Sequence, residues 1–293
     1  MVRAKMKRLM ILISAALMVV GSSEPVHSIN QEMSGNPSGS QNDSSFQPRL
    51  GTYYYCFEFN RMNIGSASIS ILRDGELYKM QVYAKTNDKI DYVYKIRYRG
   101  ENITDIDTVS PLETKITQKV KSTEKDILIK FQGDGTIRTS ERVIKKGEPP
   151  DDEVRKVNSN KDTMDPFSAT YLARGFDWKI GAEHLFVVYT GKKRYELCLK
   201  CIGKTSIEMP GGKRDTWVIV PTAKPLDADK SKSGEKKKPA DVKIYLSADQ
   251  DKDVLKIEAS HTMGTFLVLL NRFEPAVGQD RTVRENARVS VNK

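Results

Sequence analysis

Apolar and polar side chains alternate one for one through most of this chain, and a period of two admits β-strands while excluding amphipathic helices. In the first such run Tyr53, Tyr55, Phe57 and Phe59 share one face, and Thr52, Tyr54, Glu58 and Asn60 share the other. After Arg61-Met62-Asn63, Ala67, Ile69 and Ile71 alternate with Ser66, Ser68 and Ser70. A turn at Asp74-Gly75 leads into Tyr78, Met80, Val82 and Ala84, set against Lys79, Gln81 and Lys85. Three strands with one wet face make an antiparallel meander.

The period breaks between Lys89 and Tyr98, where a short helix or an irregular crossing is expected. Strands resume at Ile103–Asp107, Thr114–Lys121, Asp126–Phe131 and Thr136–Ile144, the last two joined by a Gly133-Asp134-Gly135 hairpin turn. The charged stretch from Glu148 to Lys161, with its Pro149-Pro150 pair, reads as a long loop. One helix is marked by Asp165 as N-cap, Pro166 at the first helical position and Gly175 just past the end. Barely two turns are marginal alone, so Phe167, Tyr171 and Leu172 are expected to anchor it by packing. A second meander follows at Glu183–Thr190, Lys193–Ile202, Thr216–Pro221, Val242–Ser247, Val254–Ser260 and Thr265–Phe273. Both faces are apolar in Leu185–Tyr189 and Phe266–Leu270, which predicts central strands covered on both sides. The expected fold class is mainly β: an antiparallel open barrel, or two curved sheets, with one short α-helix.

The first residues bear on location. Arg3, Lys5, Lys7 and Arg8 precede an apolar run from Leu9 to Val20, and Gly21, Ser22 and Ser23 follow. That is the layout of a secretory signal cleaved after Ser22 or Ser23. As a helix the run rises only about 18 Å, short of a hydrocarbon core of roughly 30 Å, so an uncleaved anchor is the lesser alternative. No later stretch approaches the ~20 apolar residues of a membrane-spanning helix. The expected organisation is a signal peptide over 1–23, a disordered leader over 24–48, a single β domain over 50–275 and a polar tail over 276–293. The expected location is outside the cytoplasm, in the periplasm or cell envelope of a bacterium.

The formal net charge of +10 invites a nucleic-acid partner until it is taken apart. Four of those charges belong to the signal and three to Lys224–Lys238, where six lysines face Asp227, Asp229 and Glu235, so +3 is left. Nucleic-acid footprints cluster cations on a folded face with aromatic platforms, and no such cluster is present. No nucleic-acid partner is expected. The lysine run reads as a solvated loop, with weak affinity for an anionic surface as its functional alternative.

Several constellations suggest chemistry and then lose it. Cys198-Leu-Lys-Cys201 has redox or metal spacing, but Tyr195, Leu197 and Leu199 alternate through it as a strand. Residues three apart on a strand face opposite ways with Cα atoms about 10 Å apart, whereas a disulfide needs Cβ atoms about 4 Å apart. Three unpaired thiols are expected; pairing of Cys56 with Cys198 or Cys201 is the alternative that export would permit. His184 and His261 sit at strand ends, with no nucleophile elbow beside either. Asp249, Asp251 and Asp253 have calcium-loop spacing, yet Val254 stands where Gly is needed and Ser260 where a bidentate Glu is needed. A solvated hairpin turn is expected there. Gly211-Gly212 with Lys213 and Arg214 lacks P-loop spacing and reads as a β-turn. No catalytic residue, metal ligand or cofactor is assigned.

The order of features resembles the bacterial exported family known as domain of unknown function 3108. The resemblance rests on the strand running into a Gly-Ser-Ala turn between Phe57 and Ile69, on Tyr92-Val-Tyr-Lys-Ile-Arg-Tyr98, and on Pro111-Leu112. It continues through Asp165-Pro-Phe-Ser-Ala-Thr-Tyr-Leu-Ala-Arg174, Met209-Pro-Gly-Gly212 before the Trp217 strand, Tyr245-Leu-Ser-Ala-Asp249 and His261-Thr-Met-Gly264. Two features depart from it: no proline follows the Asp249 turn, and the lysine-rich loop looks inserted. The resemblance implies an exported β fold and no site residues.

Eight of the twelve tyrosines lie between Tyr53 and Tyr98. Sheet packing accounts for most of them. The sharper expectation is a concave apolar pocket lined by Tyr53, Tyr55, Phe57, Tyr78 and Met80, holding a lipid tail or another amphiphile. Non-enzymatic binding of an apolar or amphipathic ligand is therefore the favoured function. A structural or partner-binding envelope module, engaging another envelope protein, and a glycan- or lipid-acting hydrolase are the alternatives.

Overall fold

The computed structural model describes residues 46–159, 162–227, 241–262 and 264–277. The signal, most of the leader and tail, and the lysine-rich segment 228–240 lie outside the described residues. The strands are β1 (Gly51–Phe59), β2 (Met62–Asp74), β3 (Leu77–Thr86), β4 (Ile96–Asp105), β5 (Pro111–Val120), β6 (Thr123–Phe131), β7 (Thr136–Lys145), β8 (Asp151–Asn158) and β9 (Thr163–Met164). They continue as β10 (Glu183–Tyr189), β11 (Arg194–Met209), β12 (Gly212–Pro225), β13 (Asp241–Ser247), β14 (Val254–His261) and β15 (Gly264–Pro275). Helix α1 (Asp88–Tyr94) lies between β3 and β4, and α2 (Pro166–Gly175) follows β9.

The fifteen strands of the described residues belong to one open sheet, ordered β8 down to β1 and then β15 down to β9. Every neighbour is also a chain neighbour except β1 and β15, which pair from Gly51↔Pro275 to Phe59↔Phe266. The topology is a single meander closed through its two terminal strands and opened between β8 and β9. All pairings are antiparallel apart from β9 with β10. The two free ends lie against each other without sharing a ladder. Thr139 of β7 shares a 2.9 Å hydrogen bond with the Tyr189 hydroxyl of β10, and Arg155 of β8 donates to the Gly191 carbonyl at 3.3 Å.

Alternation decides which side faces inward, as the burial of Tyr53, Tyr55 and Phe57 and of Tyr78, Met80 and Val82 shows. Enclosed by the curl is α2, with Phe167, Ser168, Ala169, Tyr171, Leu172, Arg174 and Gly175 all buried. Gly100 lets it approach, because a Cβ there would come within 2.5 Å of the Phe167 ring.

The expected antiparallel fold is present as one open sheet, and the short helix allowed for in the break after Lys89 forms as α1, giving two helices among the described residues; Asn87 caps it by accepting from the Ile90 amide at 3.0 Å. Three expectations are corrected. The loop expected over Glu148–Lys161 contains β8, an edge strand whose residues are mostly exposed on both faces and therefore show no alternation. Gly175 is the last residue of α2, not the residue past it, and is buried against Phe46. Finally, β10 lies next to the short edge strand β9, with Leu185 53% exposed, whereas β15 is central as expected.

Of the predicted leader, only Phe46 to Pro48 is described. Phe46 lies 5.5 Å from the Arg174 guanidinium and 5.4 Å from the Lys252 ammonium. No described helix is long and apolar enough to cross a membrane.

Candidate functional site

The position of α2 is set by a polar anchor at each end. At its start Asp165, fully buried, accepts from the Ser168 amide at 2.6 Å, from Asn102 Nδ2 at 2.8 Å and from the Thr114 hydroxyl. Thr104 completes the cluster, donating to Asn102 Oδ1 at 2.6 Å and sharing a 2.8 Å hydrogen bond with Ser168. Burial pushes the Asp165 pKa above its ordinary value, against the pull of these donors. The cluster ties α2 to β4 and β5 on one side of the curl.

At the other end Arg174 reaches β1 and the β13–β14 connection. Its Nε donates to the Lys252 carbonyl at 2.8 Å. Its Nη2 lies 2.9 Å from Asp253 Oδ1, 2.9 Å from the Asp251 carbonyl and 3.2 Å from the Tyr53 hydroxyl. Burial opposes the charge on Arg174, but Tyr53 and Asp253 outweigh it and raise the pKa. Asp253 also pairs with Arg49, which reaches Asp251 at 3.2 Å. The expectation of a solvated turn is thus overturned: Asp253 is 0% exposed, its pKa pushed up by burial and held back by Arg174 and Arg49. Asp249 remains at the surface with Arg214.

Between α2 and the inner face of the sheet lies a cavity of about 160 Å³. Tyr53, Tyr55 and Phe57 of β1 and Met80 of β3 line it, together with Ile219 of β12 and Leu246 of β13. Among the described residues Arg174 is the one charged side chain in its wall, and its Nη1 makes none of the four hydrogen bonds of that guanidinium. Tyr78 is corrected out of the lining, because its ring stacks on Tyr171 of α2 at 5.4 Å. The Tyr55 hydroxyl donates to the Val254 carbonyl at 3.1 Å, and burial pushes its pKa and that of Tyr171 upward, so both stay protonated.

The remaining candidates fall elsewhere. Cys198 is half-buried and Cys201 fully buried on opposite faces of β11, and both are unpaired, as is Cys56. Burial raises all three thiol pKa values, which disfavours the reactive thiolate. The His184 ring stacks on Phe176 at 3.9 Å and meets Trp178 edge-on at 4.9 Å. Its Nε2 is buried with no hydrogen-bond partner among the described residues, and burial lowers its pKa. The Pro210-Gly211 turn joins β11 to β12, with φ of 102° at Gly211 and 117° at Gly212, as a turn there requires.

Asp165 was legible only as a helix cap and Asp253 only as part of a solvated turn, while Arg174 had no reading of its own. The one sequence signal linking any two of them was the Asp165–Arg174 motif, since Arg174 and Asp253 are 79 positions apart.

Fold and cavity together define a β-barrel-like protein: a curled, unclosed meander with a helix inside it. The sequence matches the model of a family described as proteins of unknown function, DUF3108, over residues 52–271, and the chain belongs to that family. Among solved structures, the β-barrel-like DUF1849 protein of Brucella abortus is similar at a TM-score of 0.51 and 9% identity. The match covers 78% of this chain and 99% of that one, and at such identity it speaks to the fold alone. A protein from Parabacteroides distasonis described as a candidate lipoprotein aligns at a TM-score of 0.30 and 8% identity, over 78% of this chain and 97% of that one. No curated protein matches the sequence.

Proposed function

We propose that this is an exported, non-enzymatic envelope protein that holds the apolar segment of an amphiphile between α2 and the sheet. The observation that carries the proposal is the cavity, walled by aliphatic and aromatic side chains with a single cation, Arg174, among them. Apolar cavities of about 150 Å³ stay dry and take up small apolar molecules, because water finds too few partners in them. Pockets for larger ligands run to roughly 300–1,000 Å³. A cavity of about 160 Å³ therefore suits one short apolar segment, not a multi-chain lipid. The export part of the proposal rests on the basic, apolar and small-residue order of residues 3–23.

The test is calorimetric titration with 1-octanol, a neutral single-chain probe, against the native protein and against Ala67→Leu. Ala67 lines the cavity, and the larger side chain fills space the probe would occupy. Saturable binding with a negative heat-capacity change, lost in Ala67→Leu at unchanged fold, is expected. Absence of saturable binding, or equal binding by both proteins, would remove the idea.

A second reading, a partner-binding module, is favoured by one observation. Strand β8 has a single ladder neighbour and an exposed Val154, leaving an eight-residue edge on which a partner strand could add.

A further inference from the structure

We propose that one end of the curled sheet, formed by α1 with the β1–β2 and β5–β6 turns, docks on the surface of an anionic lipid bilayer.

The topology divides the charge of the connections between the two ends. β1, β3, β5, β7, β10, β12 and β14 all run toward the same end. Among the described residues, the connections there carry Arg61, Lys89, Lys95, Lys121, Lys146, Lys192 and Lys193 against Asp88, Asp91, Glu148 and Asp227. Three of those four carboxylates already face strand cations: Asp91 with Arg97, Glu148 with Lys145, and Asp227 with Arg194. The connections at the opposite end carry Lys179 and Lys252 against Glu76, Asp107, Asp134, Asp162, Asp177, Asp249, Asp251 and Asp253, the last three of which face Arg214, Arg49 and Arg174. Charge in the described connections is thus polarised along the axis, and an anionic surface would meet the α1 end.

That end also exposes apolar side chains among its cations. Tyr92 is 94% exposed, Met62 55% and Val93 48%. They are held in place, not loosely tethered. Asn87 Nδ2 donates to the Asn63 carbonyl at 2.8 Å, joining the N-cap of α1 to the start of β2. Asp91 accepts from the Thr86 hydroxyl and from Arg97, fixing the helix on the ends of β3 and β4. Tyr94 is buried under Lys121, whose ammonium lies 4.6 Å from its ring centre, so Tyr92 and Val93 point away from the core. Arg61, Lys89, Lys95 and Lys121 make no ion pair among the described residues. An exposed tyrosine and valine among unpaired cations is the composition a headgroup layer accepts: Tyr rings favour the interface, and each nearby Lys or Arg adds attraction to anionic lipid.

The experiment is co-sedimentation of the exported, purified chain with vesicles of phosphatidylglycerol or of phosphatidylcholine. Binding to phosphatidylglycerol and not to phosphatidylcholine is expected. Lys89→Gln/Lys95→Gln should weaken it roughly 30-fold, from the contribution expected of two interfacial lysines. Tyr92→Ser/Val93→Ser should also weaken it. Lys179→Gln/Lys213→Gln, an equal charge loss at the opposite end, should leave it unchanged. All these sites are exposed, and an unaltered melting temperature confirms that each variant is folded. Equal binding to both lipids, no binding to either, or equal loss in the Lys179/Lys213 variant would overturn the proposal.

Discussion

Replacing Asp253 with Asn leaves the shape of the side chain nearly unchanged and removes its charge. Arg174, with its side chain only 6% exposed, would then carry a charge whose nearest carboxylate is gone. Breaking one partner of a buried ion pair costs about 3–5 kcal/mol, because the survivor is desolvated and uncompensated. The neighbouring Arg49–Asp251 pair supplies an internal control. Its side chains are 34% and 28% exposed, so water screens it, and Asp251→Asn should cost about 0–1 kcal/mol. Urea unfolding followed by tryptophan fluorescence and by circular dichroism measures both variants, and coincident transitions license the two-state comparison. For a domain of this size, the Asp253 change should lower the melting temperature by roughly 10 °C. Equal and small effects of the two substitutions would refute the view that this turn is locked to α2 from within.

Tyr171→Phe should leave stability unchanged or raise it by about 1 kcal/mol, because the Tyr171 hydroxyl is buried without a partner among the described residues; Tyr55→Phe, which removes a donor to the Val254 carbonyl, should cost about 1 kcal/mol in the same unfolding assay. Asp165→Ala should cost about 2–4 kcal/mol, combining a lost helix cap with the orphaned Asn102 and Thr114, again read from denaturant midpoints. The hydrogen bond from Arg97 holds the Asp91 pKa down at about 2, below an unfolded value of about 3.9. A depressed carboxylate stabilises the fold above the unfolded pKa, and that contribution is lost as pH falls toward 2. Stability measured from pH 5 to pH 2 should therefore decline less in Asp91→Asn than in the parent chain.

What could be read in the letters follows from which interactions are local. Alternation along β1 to β3 is a property of each strand by itself, so the inward positions of Tyr53, Tyr55, Phe57, Tyr78 and Met80 were accessible. Whether an inward side chain meets space or another ring depends on where α2 lies, and that separates Tyr78, stacked on Tyr171, from Met80 at the cavity. Strand β8 was hidden for the opposite reason. With both faces wet, its sequence carries no period, and only backbone pairing with β7 makes it a strand. The Asp249–Asp253 turn looked solvated because turns with three carboxylates usually are. Its partner Arg174 is supplied by a helix 79 positions away, which no local pattern encodes.

The most direct measurement is native mass spectrometry of the protein purified from the cell envelope, compared with the Ala67→Leu variant purified in the same way. The expected result is a small apolar adduct on the parent chain that is depleted when the cavity is filled. A bare mass for both proteins, or the same adduct on both, would contradict an amphiphile held between α2 and the sheet.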